Sequence, residues 1–100
     1  MQIKEGVRIH GLSAEIIVGL LIADVVFTRH ESPLVVTSAI EGQHMNGSLH
    51  YIGHAIDVRL PRKEIVSTVM AELILRLGDD FDVVEEDTHI HIEFQPKKRY

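Results

Sequence analysis

Four residues in this chain of 100 stand in a pattern that suits a metal ion: His50, Asp57, His89 and His91. The chain has no cysteine, so a zinc site has to be built from imidazole and carboxylate. His50 and Asp57 are seven residues apart, an odd spacing that places them on opposite faces of one regular strand. Gly53 lies between them and supplies the bend that breaks this alternation. Beyond the bend, Ile56, Val58 and Leu60 share one face, while Ala55, Asp57 and Arg59 share the other. Ala55 is small and is expected to leave room for an ion beside the ligand face.

A second segment repeats the pattern. Within 88–94, Ile90, Ile92 and Phe94 point one way, and His89, His91 and Glu93 the other. If both aliphatic faces cover one core, Asp57 and the two imidazoles emerge together on the open face of a sheet. A catalytic zinc ion takes three protein ligands of these types and keeps a fourth position for water.

The order Ser-x-His-x-x-Gly-x-Ala-x-Asp, here Ser48 to Asp57, followed by a His-x-His strand, resembles the zinc D-Ala-D-Ala carboxypeptidases and L,D-endopeptidases of peptidase family M15. The vancomycin-resistance dipeptidases and the signalling domain of hedgehog proteins share that scaffold. Ser48-Leu49-His50-Tyr51 with Gly53, Ala55 and Asp57 is hedgehog-like, as is Glu85 four residues before His89. The chain length and the ending Glu86-x-x-His89-x-His91 are more similar to small phage and prophage members. The resemblance spans roughly residues 34–94 and extends to the first helix.

The resemblance implies that His50, Asp57 and His91 hold zinc and that His89 lies beside the metal, orienting substrate or stabilising negative charge. It implies a general base just upstream: Glu86 matches the enzymes' spacing, and Glu85 matches the hedgehog spacing. Glu85 also joins the His89/His91 face if the strand runs unbroken. His44 matches a site-lining histidine, and Ser48 falls in the substrate-facing part of the motif. The activity implied is hydrolysis of peptidoglycan stem peptides or other D-Ala-containing peptides. The bond cut is that of a D-Ala-D-Ala carboxypeptidase or of an L-Ala-D-Glu-type endopeptidase. A non-catalytic, zinc-containing binding module of hedgehog type is the alternative. The chain departs from the family at 37–41, where many enzymes carry a substrate-gripping arginine and this sequence has none; Arg59 and Arg29 are the candidate substitutes.

The scaffold around these residues reads as one domain over residues 1–100, with a basic tail at 95–100. A net charge of −5 argues against nucleic acid or an anionic membrane as partner. The first residues lack a basic region followed by an apolar run, so no secretory signal is expected. Access to the cell wall would then come through phage release or a virion-borne role; a cytoplasmic dipeptide substrate would need no such route.

Ser13 is the expected N-cap of a helix over 14–29, apolar almost all round and interrupted by Asp24. It is too short to span a membrane and is expected to be buried against a sheet. A β-branched strand follows at 34–38, then a polar loop at 41–47. Pro61 is expected near the first turn of a second helix, with Ile65, Val66, Val69, Met70, Leu73, Ile74 and Leu77 as its core stripe and Gly78 closing it. Strands at 81–85 and 88–94 complete the chain, with a turn at 86–87. The predicted fold is α+β: two helices packed on one face of a small, mainly antiparallel sheet, with the zinc site on the open face.

Overall fold

Alternation in two short segments decides the architecture, because it makes one sheet face oily and the other polar. The computed structural model describes residues 1–40 and 53–97. Its elements are β1 (Gln2–Ile3), α1 (Ala14–Arg29), β2 (Val35–Ser38), β3 (Ala55–Arg59), α2 (Val66–Leu77), β4 (Phe81–Glu85) and β5 (His89–Phe94). The strands form one five-stranded sheet in the order β1-β2-β3-β5-β4. Among the described residues, β1 and β2 run parallel and the β2–β3, β3–β5 and β4–β5 neighbours are antiparallel. Both helices pack against this sheet, as the sequence predicts. No helix among the described residues is long and apolar enough to cross a membrane.

The covered face is dry. Ile56 and Val58 of β3 and Ile90 and Ile92 of β5 are fully buried in one core with Ile16, Phe27, Val69 and Leu73 of the helices. Burying an aliphatic side chain of this size contributes about 1.5–3 kcal/mol. At Gly19 the helix meets the sheet closely: a Cβ there would stand 2.7 Å from the Phe81 ring.

Helix α1 begins as predicted. Ser13 is extended, and its Oγ accepts a hydrogen bond from the Ile16 N–H at 3.1 Å. Glu15 in the first turn and Arg29 in the last both suit the helix dipole. The helix is not buried all round, however. Ile17, Val18, Leu21 and Val25 form an outward stripe between 45% and 57% exposed. A two-layer fold covers one side of a helix only, so an apolar circumference leaves half of itself in water.

Helix α2 starts later than predicted, because Lys63–Ile65 first winds as a 3₁₀ turn after the buried Pro61. Val69, Leu73 and Leu77 form its buried stripe, whereas Ile74, expected among them, is 54% exposed. Gly78 closes the helix at φ 84°, its N–H donating to the Ile74 carbonyl. Glu72 ties the two helices together. Its Oε1 accepts from His30 Nε2 at 2.8 Å and its Oε2 from Arg76 Nε at 3.0 Å, with Arg29 Nε at 3.6 Å. The His30 hydrogen bond, helped by Arg76, holds the Glu72 carboxyl below its usual range.

Gly53 and the β2–β3 pairing aim the polar face. Gly53 has φ 77°, and its carbonyl accepts from the Ser13 N–H at 2.9 Å. A Cβ at Gly53 would overlap the Gly11 carbonyl, so only glycine fits where the chain turns into β3. Val36 pairs with Val58, but Ser38 pairs with Asp57, so β2 carries one extra residue at this point. That bulge puts Ser38 beside Asp57.

Candidate metal centre

Register brings the chemistry together. β3 and β5 pair Asp57 with His91, Arg59 with His89 and Ala55 with Glu93. Directly opposed residues share a face, and their alternating neighbours Ile56, Val58, Ile90 and Ile92 are in the core. Asp57, His89, His91 and Glu93 therefore occupy the face of the sheet opposite the helices.

The side chains meet there. His91 Nδ1 lies 2.9 Å from Asp57 Oδ1, and His91 Nε2 lies 2.7 Å from Glu93 Oε1. His89 Nε2 approaches Asp57 Oδ2 at 3.7 Å, while Thr88 Oγ1 lies 3.1 Å from His89 Nδ1. A hydroxyl donating to Nδ1 leaves the proton of a neutral His89 on Nε2, facing the carboxylate. The Asp57 hydrogen bond, supported by Glu93 and opposed by burial, raises the His91 pKa to about 9. In the metal-free protein at neutral pH, His91 is thus an imidazolium donating from both nitrogens.

His91 and Asp57 present donor atoms of the types that zinc prefers. Two donors of a tetrahedral zinc ion, each about 2.0–2.1 Å from it, stand about 3.3 Å apart. The observed 2.9 Å between Nδ1 and Oδ1 needs only a small opening to reach that spacing. The pair fits the ion. Among the described residues, no group of three His, Asp or Glu side chains forms a complete cage. His50, the third expected ligand, lies outside the described residues, as do His44 and Ser48.

The two candidate bases fall on different faces. Glu85 pairs with Ile90, a fully buried residue, so its register position belongs to the helix-covered side. This corrects the expectation that Glu85 shares the face of His89 and His91. The chain reverses between β4 and β5, so parity follows the ladder and not an unbroken strand. Continuing that ladder, the Glu86 N–H donates to the His89 carbonyl at 2.8 Å, which sets Glu86 across from His89. Glu86 is exposed.

Of the two arginines considered for substrate, Arg59 is exposed and opposite His89 on the open face. Arg29 is paired with Glu72 in the helical layer, on the other side of the sheet. Ser38 is in register with Asp57. Glu93 was visible in the sequence on the histidine face, but no motif assigned it a role. Its i+2 spacing from His91 on a strand is the signal that marks it.

A wider polar chain extends from Glu93. The Gln95 amide, assigned with its nitrogen toward the acceptors, donates to Glu93 Oε2 at 2.9 Å and Asp82 Oδ2 at 2.7 Å. Lys97 Nζ lies 3.1 Å from Asp82 Oδ1. The chain matches no protein-family model, no curated protein and no solved structure.

Proposed function

We propose that this protein is a zinc-dependent peptidase acting on peptidoglycan stem peptides, with Asp57, His91 and His50 as the residues that would hold the metal. One observation carries the reading. Asp57 Oδ1 and His91 Nδ1, 34 residues apart in sequence, converge to 2.9 Å on the sheet face opposite the helices. The substrate class rests on the resemblance of the Ser48–Asp57 motif and the His-x-His strand to family M15.

A bound zinc ion supplies Lewis acidity, making water nucleophilic near neutral pH and polarising an amide carbonyl. The chain's own residues supply the rest. Glu86, across the ladder from His89, takes a proton from the attacking water and delivers it to the leaving amine. The water oxygen bonds to the carbonyl carbon, the C–N bond breaks, and the proton leaves on nitrogen. His89, with Thr88 at its Nδ1, offers its Nε2–H to the charge developing on the carbonyl oxygen. Arg59, exposed and in register with His89, would meet a carboxylate of the substrate.

Digestion of purified muropeptides by zinc-loaded wild type, E86Q and E85Q tests this reading. General acid–base catalysis contributes about 10²–10⁴-fold, so E86Q should lose activity by that order while E85Q stays within severalfold. The bond cleaved distinguishes a carboxypeptidase from an endopeptidase. Stoichiometric zinc with no hydrolysis by the wild type would instead leave a zinc-containing binding module.

A further inference from the structure

We infer that Glu93 is the positioning residue of the metal centre: it holds His91 by Nε2–H so that Nδ1 is the nitrogen offered beside Asp57. The inference rests on the zinc reading and extends it to a residue outside the family motif. An imidazole binds a metal through the nitrogen that lacks a proton, so the partner of the other nitrogen selects the tautomer. Here Nε2 is 2.7 Å from Glu93 Oε1, and Nδ1 is 2.9 Å from Asp57 Oδ1. The ring is held at both nitrogens. When a metal replaces the proton on Nδ1, the Nε2–H stays on Glu93, and the carboxylate increases the electron density of the ring.

Glu93 is itself held, as a positioning group must be. Its Oε2 accepts from the Gln95 amide, which also donates to Asp82 Oδ2. Asp82 is directly across the β4–β5 ladder from Glu93 and pairs with Lys97. On the other side, Ala55 is in register with Glu93 and fully buried. A small residue there makes space for the carboxylate, a role different from leaving room for the ion. Three strands and the segment after β5 thus converge on one glutamate whose side chain is only 21% exposed.

The competing assignment makes Glu93 a metal ligand, with zinc on Nε2. Chelator-competition measurements of zinc affinity on the full chain separate the two, using wild type, E93Q, E93A and D57A. Loss of an outer-shell carboxylate typically weakens metal binding about 10–100-fold, the effect expected for E93A. E93Q retains an acceptor for Nε2–H and should recover most of that loss. Nitrogen NMR of zinc-loaded wild type should show His91 metallated at Nδ1 and protonated at Nε2. Thermal melts of each metal-free variant identify any that fail to fold, and the wild-type NMR spectrum tests the inference without a variant. E93A binding zinc as tightly as wild type would overturn the inference and leave the zinc reading intact. His91 metallated at Nε2, or E93Q as weak as E93A, would make Glu93 a ligand and overturn it too. Wild type without D57A-sensitive zinc binding would overturn both.

Discussion

The two faces of the β3–β5 ladder are made from alternate residues of the same segments, yet they differ in every physical respect. On the covered face, Ile56, Val58, Ile90 and Ile92 are fully buried against two helices. On the open face, Asp57, His89, His91 and Glu93 form a partly exposed set of ionisable groups. The first face supplies stability through area removed from water, which is non-directional and tolerant of chemistry. The second depends on distances of a few tenths of an ångström between charged groups. Its residues are held in place by the stability of the first.

That contrast yields ordered expectations. Ile92→Ala removes a fully buried side chain next to His91 in sequence and should cost about 2–5 kcal/mol in denaturant unfolding. Zinc bound per folded molecule should be unchanged. A variant that keeps its stability but loses zinc would show that the two faces are not separable.

The open face has its own contribution to stability, and it depends on pH. His91 titrates at about 9 in the folded metal-free protein against an ordinary 6.5. Its raised folded pKa means that the ion pair with Asp57 stabilises fully below about pH 6.5 and is lost as pH rises through about 9. The difference corresponds to about 3 kcal/mol at most, reduced by water around a partly exposed ring. Melts of metal-free wild type at pH 6 and pH 9.5 should reveal this decline, and D57N should flatten it. An identical slope in D57N would place the pH dependence elsewhere.

Gly53→Ala tests the bend that leads into β3. Positive φ and overlap with the Gly11 carbonyl should cost about 1–3 kcal/mol by thermal melt. A neutral outcome would mean that this turn does not constrain the strand. The smallest effect is expected on the outer side of α1. Leu21→Gln, at a residue 53% exposed, should change stability by less than about 0.5 kcal/mol. A larger loss would show that the stripe is covered in solution.

Much of this fold was legible because its signals are local. Ser13 before an apolar run announced α1, and strict alternation in 89–94 announced both the strand and its two faces. The meeting of Asp57 with the histidine strand was also legible, since two aliphatic faces had one core to share. What escaped depended on pairing. Glu85 and Glu86 differ by one residue, and only the ladder beyond the reversal assigns their faces. The exposed stripe of α1 escaped because an all-round apolar helix does not reveal which side its neighbours cover. Glu93 escaped because a hydrogen bond to His91 belongs to no spacing rule beyond strand parity.

Metal analysis of purified wild type, D57A, H91A and H50A after zinc supply and dialysis reads out the Asp57–His91 metal site itself. About one zinc ion per wild-type chain is expected, lost or strongly weakened in each variant while the fold persists. Wild type without zinc, or D57A and H91A retaining it undiminished, would mean that Asp57 and His91 do not hold a metal.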